Sequence, residues 1–462
     1  MSHDNALLPT AALLLSGVLV AGCTGSPASP ASRATKSPAN SAPAAAAASN
    51  CLLPPGSSCY APHQFRVAYG IQPLLDRGID GGGETVTVID LPPLANSVNP
   101  SPTAPVAQSS SAAAAPGARP ANTDIRQALA AFDRLARLPA ARIQTVTALA
   151  GSASPWQANA EEVQDAEVVH AVAPAATLRV VLLPGNVLSS AATATADMIA
   201  ALRLAVSHSD VVSAGWSLGE HFFTTAQVSE LHSILRAAAA HHVTVVASSG
   251  DHGAFSDSYG GTPVKEVSLP AADPLVLAVG GTTLTANTVT GTYTSETAWN
   301  GAAGSFSVTP GASAGGFSHR YPRPSYQDGV PGMARMRGVP DVAGDAGATG
   351  GLPVVFGDGG HISPASGTIS PASGTGAATA QWAGLMALAD QDAQHDLGFV
   401  NPAIYRIARS SRYHKAFHDV TTGNNLTIGP VSHPYHAGPG WDPVTGWGSP
   451  NAQALISLLA HR

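Results

Sequence analysis

Glu161 and Asp165 stand four residues apart in a stretch, 160–172, that reads as a helix, so the two carboxylates share one face. Side by side they repel, and one pKa should rise. Such a pair suits a general base, with the second carboxylate holding and polarising the first. With Glu162 and Glu167 close by, the same residues also fit a solvated acidic face. Ser249-Gly250-Asp251 follows an apolar run, Val243–Ser248, that reads as a strand, so Asp251 falls at a sheet's carboxyl edge, placed either to cap a helix or to meet a ligand. Asp419 and the stretch GPGWD at 438–442 offer other chemistry. Two carboxylates (Asp419, Asp442) and the carbonyls of Gly438 and Gly440 are hard oxygen donors of the kind Ca²⁺ takes, although a tight Gly-Pro turn with an Asx cap explains the same spacing. His170 can be set with Asp90 and Ser373 as a Ser/His/Asp group, but no context brings the three together, and most of the 17 histidines read as surface residues.

The stretch that organises these groups runs from Ile362 to Leu388. A unit of seven residues, ISPASGT at 362–368, repeats unchanged at 369–375, and its Pro and Gly residues make both copies loops. A small-residue apolar run then predicts a buried helix over about 376–391. A Gly-Thr turn feeding a helix aims backbone N–H groups and a positive dipole end at one point, a good place for a nucleophile facing a developing oxyanion. The residue at that point is Gly376, which has no side chain.

Upstream, helical patterns at about 123–137, 160–172, 193–207 and 225–241 alternate with short apolar runs at 85–90, 178–183, 210–214, 243–248 and 275–279. That alternation implies an α/β fold with a doubly wound, mostly parallel sheet, whose ligands sit at the strands' carboxyl ends. Residues 281–350 are rich in Gly, Thr and Ser and carry few helix signals.

Only 11% of the 462 residues are charged and there are 47 Gly and 37 Pro, which fits a loop-rich secreted protein. The net charge of −7 with no basic block argues against a nucleic-acid partner. Residues 6–22 are apolar but short of the roughly 20 that span a bilayer, and read as a signal peptide. They end in Val20-Ala21-Gly22-Cys23, similar to a bacterial lipobox, so 1–23 is expected to be removed up to a lipidated Cys23, a surface lipoprotein whose only membrane contact is that anchor. A plain signal peptide with an incidental Cys is the other option. Residues 24–50 read as a Ser/Pro/Ala-rich tether and 92–122 as a disordered insertion in a domain spanning 51–462. The remaining cysteines, Cys51 and Cys59, form an even pair expected to make one local disulfide in an oxidising compartment.

Taken in order, these segments resemble the sedolisin family of serine-carboxyl peptidases, over about 51–459. The resemblance is carried by EEVQDAEVVHAVAP at 161–174, VTVVASSGDHGA at 243–254, LPAADPLVLAVGGT at 269–282, SAGGFS at 313–318, VPDVAGDA at 339–346, HDV at 418–420 and AGPGWDPVTGWGSP at 437–450. It implies a subtilisin-like fold, with Glu161 as general base, Asp165 as its supporting carboxylate and Asp251 as the acid of an oxyanion hole. It implies a Ca²⁺ cofactor held within loops 415–450 by Asp419, the Val420 carbonyl, the Gly438 and Gly440 carbonyls and Asp442. An acid working pH agrees with physics, because a protonated carboxyl donates to an oxyanion where an ionised one repels it.

Two departures stand out. The family carries Gly-Thr-Ser-Ala before its helix, where this chain has Gly374-Thr375-Gly376-Ala377, with Ala380 in place of a family Pro. Trp382-Ala383-Gly384 fixes the register, so Gly376 takes the nucleophile's place, and the adjacent tandem unit suggests a local duplication. The family also carries a long N-terminal prodomain, for which there is no room between Cys23 and Cys51, so folding is expected either to be assisted or to need no restraint on activity. Three functions stay open: a monomeric pseudopeptidase that binds extended polypeptide, an acid endopeptidase using Ser373 or Thr375 as substitute nucleophile, and a structural or adhesive surface protein that reuses the fold.

Overall fold

The computed structural model describes residues 59–90, 123–148, 156–183, 191–256, 264–301, 311–356, 368–426 and 433–461, all within the compact unit 47–462. The leader, the tether, Cys51, the insertion and all but the last residue of the first ISPASGT copy lie outside the described residues. Among the described residues no helix is long and apolar enough to cross a membrane.

Eight strands form the main sheet: β1 (Thr85–Ile89), β2 (Arg142–Thr147), β3 (Thr177–Leu182), β4 (Val211–Ala214), β5 (Thr244–Ser248), β6 (Leu277–Ala286), β7 (Tyr293–Ala298) and β8 (Val342–Asp345). Their spatial order is β7-β6-β5-β4-β1-β3-β2, with β8 also paired to β6. Every pairing is parallel except the β6/β7 hairpin. The fold class is therefore α/β, doubly wound and mostly parallel, as the alternating pattern implies.

Successive strand residues serve opposite faces. Val180, Val211 and Val246 join one core with helices α2 (Ala160–Val172), α5 (Gly374–Ala393) and α6 (Ala452–Ala460). Val181, Val212 and Val245 join another with α3 (Ala191–Val206) and α4 (Thr225–Ala240), through Met198, Leu202, Leu231 and Leu235. α1 (Ile125–Ala136) starts where Asp124 accepts from Arg126 N, a side-chain N-cap. α2 starts with a reciprocal box: Asn159 accepts from Glu161 N and Glu162 N, and Glu162 Oε2 accepts from Asn159 N. α2 and α5 lie close because Gly384 has no Cβ; one there would fall 2.8 Å from Val172 Cβ.

Three sequence expectations need correction. The tandem unit is not all loop: Thr368–Pro371, the last residue of the first copy and the first three of the second, is a strand paired antiparallel with Pro353–Phe356. Pro371 and its partner Pro353 are tolerated because a two-stranded ribbon leaves one edge of each strand without ladder bonds. The strand expected at 275–279 continues through Gly280 and Gly281 to Ala286. Those glycines are packing requirements rather than turn signals, since a Cβ at Gly280 would meet Pro340, Ser313 and Val444 at 2.8 Å. The edge strand β2 and the strands Gly316–Pro322 and Met336–Val339 gave no clear sequence signal, being short and half-exposed or glycine-rich.

Candidate active site

Three parallel strands end side by side, with Ile89 opposite Ala214 and Ala214 opposite Ala247. Asp90, Gly215 and the turn Ser249–Asp251 thus emerge at the carboxyl edge of the sheet. The N-termini of α2 and α5 bring the remaining groups to the same place.

Asp165 is fully buried, Gln164 likewise, and Glu161 is half-buried, which overturns the solvated-face alternative for this helix. Its other two carboxylates are scaffolding. Glu162 accepts from Asn159 N and from Leu183 N, tying the helix start to the end of β3, and burial pushes its pKa up to about 8. Glu167 accepts from Val355 N at 2.7 Å, and burial pushes it well above the usual range.

Gln164 had not been singled out from the sequence, yet it joins the acids to the loop ahead of α5. Its Nε2 donates to Ser373 O at 3.1 Å and reaches Glu161 Oε2 at 3.4 Å and Asp165 Oδ1 at 3.5 Å, the last two at the outer limit of hydrogen bonding. Its Oε1 accepts from Ser373 N at 3.1 Å. Asp90, considered from the sequence only with His170 and Ser373, is brought here without the histidine. Its Oδ2 and Asp165 Oδ2 lie 2.4 and 2.3 Å from the point a Cβ would occupy on Gly215, so a glycine is required there for the two carboxyl groups to face one another. Like charges this close are costly unless a proton is shared. The signal was present in the sequence as the residue directly after the first strand, at the edge where ligands bind.

α5 begins at Gly374, whose φ of +87° suits glycine, after the extended N-cap residue Ser373. Asp251 Oδ1 accepts from Thr375 N at 2.9 Å and from Thr375 Oγ1 at 2.6 Å, while its Oδ2 lies over Gly374. Thr375 Oγ1 also meets Ser248 Oγ at 2.6 Å and accepts from Gly250 N at 3.2 Å, and the side chain is fully buried. Gly376 follows in the first turn. A Cβ there would stand 3.5 Å from both carboxylate oxygens of Asp165 and 3.2 Å from Gly215 O. The geometry therefore collects Glu161, Asp165, Asp251, Ser373 and Gly376 at one helix N-terminus. It leaves out His170, which is fully buried with Nε2 at 3.0 Å from both Pro139 O and Asp133 Oδ1, a structural pairing across α1 and α2.

The loop 415–450 also closes on itself. Gly440 N donates to Asp419 Oδ1 and Oδ2 at 3.1 and 3.2 Å, and Gly438 N to Asp442 Oδ2 at 3.2 Å. Thr445 Oγ1 donates to Asp442 Oδ2 at 2.8 Å and reaches Val420 O at 3.4 Å. Burial pushes Asp442 up to about 6, and burial followed by the negative field of Asp419 and Asp442 raises Tyr413. Arginine ion pairs among the described residues go to Asp124, Glu230, Asp328 and Asp341, none to either loop carboxylate. Two carboxylates beside the Val420 carbonyl, with no arginine pair among the described residues, fit a hard divalent cation.

Residues 146–407 match the model of the subtilase family. The chain is 34% identical over 306 residues to kumamolisin of Bacillus sp. (strain MN-32), a match covering 64% of this chain and 50% of that protein. It is 35% identical over 230 residues to sedolisin of Pseudomonas sp. (strain 101), covering 49% and 36%. It is 29% identical over 286 residues to human tripeptidyl-peptidase 1, covering 57% and 45%. The chain thus spans half or less of the length of these relatives. Among solved structures, Pseudomonas sedolisin, a serine-carboxyl proteinase complexed with two molecules of pseudo-iodotyrostatin, superposes with a TM-score of 0.67 at 25% identity, covering 87% of this chain and 98% of that one.

Proposed function

This chain belongs to the subtilase family, with the sedolisin-type peptidases as its relatives there, and we propose that it is an exported homologue that binds extended polypeptide in the ancestral cleft and cleaves it weakly or not at all. One observation carries the reading. The first turn of α5 points the Gly376 position at the Asp165 carboxylate, 3.5 Å from a Cβ, and that position holds no hydroxyl. In this reading Glu161 is the base without a proton to take, Asp165 its support, and Asp251 Oδ2 the donor beside the helix N-terminus where an oxyanion would collect. With no oxygen to attack the carbonyl carbon, no acyl-enzyme forms, and binding to the cleft is what remains.

A second reading keeps catalysis by a substitute hydroxyl. Thr375 is poorly suited, since its Oγ1 already serves Asp251, Ser248 and Gly250. Ser373 is the better candidate: Gln164 links it to Glu161, although the same two bonds hold its backbone in place. Hydrolysis and binding of quenched fluorescent peptides between pH 3 and 5 separate the two. Binding without turnover is expected; turnover that disappears in both Glu161→Gln and Ser373→Ala would establish the second reading instead.

We also propose that Asp419, Asp442 and the carbonyls of Val420, Gly438 and Gly440 hold Ca²⁺. Its charge when bound would neutralise the two loop carboxylates, while the backbone bonds from Gly438 and Gly440 preset the loop. The apolar leader at 6–22, followed by Cys23, supports export with a lipid anchor.

A further inference from the structure

Apart from the acids at the sheet edge, a second group of titratable side chains gathers where the turn Glu220–Phe222, the strand Gly316–Pro322 and the residues before Ser268 meet. Glu220 and Glu266 are 1% and 5% exposed. One ligand-capable atom from each of Glu220, Glu266 and His319 lies within 4.8 Å of the others, and His221 Nδ1 is in close hydrogen-bond contact with Glu266 Oε1. Glu266 and the exposed His319 line an open cavity of 230 Å³, with Phe317, Ser318 and Tyr435 on its wall. We propose that Glu220, Glu266 and His319, with His221 as a fourth donor, form a transition-metal site that takes Zn²⁺.

Charge argues for a cation. Two carboxylates buried side by side are costly without an opposite charge. The nearby arginine and lysine are committed elsewhere: Arg320 donates to the main-chain oxygens of Glu220 and Phe223, and Lys265 Nζ donates to His433 O and lies over the Tyr435 ring, which leaves His221, itself a proposed donor, as the base paired with Glu266. Among the described residues no arginine ion pair reaches Glu220 or Glu266. Donor type selects the ion, because imidazole with carboxylate suits zinc, whereas Ca²⁺ and Mg²⁺ take oxygen alone.

The surroundings orient the donors. Ser318 Oγ and His319 N hold the Glu220 carboxylate, and His221 N holds Glu266 Oε2 at 3.2 Å, the kind of outer contact that fixes metal ligands. Gly219 makes room for Glu266, whose Oε1 lies 2.4 Å from the point of an added Cβ. Ligands of a tetrahedral zinc stand roughly 3.4 Å apart, so His319, exposed and facing the cavity, needs only a side-chain swing to close the site. The cavity is the entry path.

The site is independent of peptide hydrolysis, and its test is metal binding by the full chain. Zn²⁺ is titrated calorimetrically with Ca²⁺ in excess to fill the other loop, and Co²⁺ is followed by its visible absorption. One zinc equivalent is expected, with affinity falling at least about 10-fold in His319→Ala and in Glu266→Gln, loss of the Co²⁺ band in both, and no change in His414→Ala, an exposed histidine elsewhere. The exposed position of His319 keeps its variant folded, which its melting without metal checks. No zinc uptake by the wild type, or equal affinity in wild type and His319→Ala, overturns the proposal.

Discussion

Replacing Gly376 by serine adds one carbon and one oxygen to the first turn of α5. The new Cβ would stand 3.2 Å from Gly215 O and 3.5 Å from the two Asp165 oxygens. Only the first contact is tight, and a shift of a few tenths of an ångström in the 215 carbonyl relieves it, costing on the order of 1 kcal/mol. Serine is also a better helix former than glycine by about 0.5 kcal/mol. The melting temperature should therefore drop by only about 2 °C or less. One bond beyond that Cβ, the hydroxyl comes within reach of the Asp165 and Glu161 carboxylates. Losing the nucleophile costs on the order of 10⁶ in turnover in a serine peptidase, and a positioned base alone contributes 10²–10⁴. We expect Gly376→Ser to cleave a quenched peptide at pH 4 at least about 10²-fold faster than wild type, with the gain lost when Glu161→Gln is added. A variant that melts normally and gains nothing, or a wild type that already cleaves at the variant's rate, refutes the assignment of position 376.

The remaining predictions concern stability. Removing Ca²⁺ from a site normally held at 100–1,000 times its Kd costs about 3–4 kcal/mol, so chelation should lower the melting temperature by several degrees; Mg²⁺ should not restore it, Asp442→Asn should abolish the difference, and identical melting with and without chelator removes the site. Acidification should stabilise the chain: burial holds Glu162, Asp345 and Asp390 up at about 8, Glu84 at about 7 and Asp442 at about 6. Each keeps a proton in the folded chain that the unfolded chain has lost above about pH 4, so their contribution is complete below about pH 4 and disappears as pH rises through the folded values. His418, held down to about 4 by burial, works the other way between about pH 6.5 and 4, and Asp124, held below the usual range by the hydrogen bond from Arg126, does so at lower pH. Calorimetric melting in calcium-free buffer should fall from pH 5 to pH 8, and a rise across that window contradicts the sign.

The helices and the inner strands were legible because their patterns are regular: α2 was expected at 160–172 and spans Ala160–Val172, and β4 and β5 begin one residue inside the runs that announced them. What escaped was structure whose cause lies elsewhere in the chain. Gly280 and Gly281 look like a turn until Pro340, Val444 and Trp299 are seen pressing on them. Asp90 is an isolated acid in the sequence, and only the parallel pairing of β1 with β4 brings it to Gly215 and so to Asp165. Gln164 reads as one more polar residue on a helix until Ser373 arrives from 209 residues away. Long-range placement of this kind leaves no local periodicity.

The acids of α2 must be separated by role before their presence is taken to mean chemistry. Glu162 and Glu167 accept backbone N–H groups of Asn159, Leu183 and Val355, and the packing of this helix uses them whether or not a bond is ever cleaved. Asp165 and Asp90 are different, because they face each other across a glycine at the carboxyl edge of the sheet. Two carboxyls buried this close are a weak source of stability, and apolar groups of similar size often serve a core as well. Beside Gly376 they give the cleft two polar groups, which carbonyl and amide groups of an extended backbone would match, and under the proposed reading that match is what peptide binding without turnover would report.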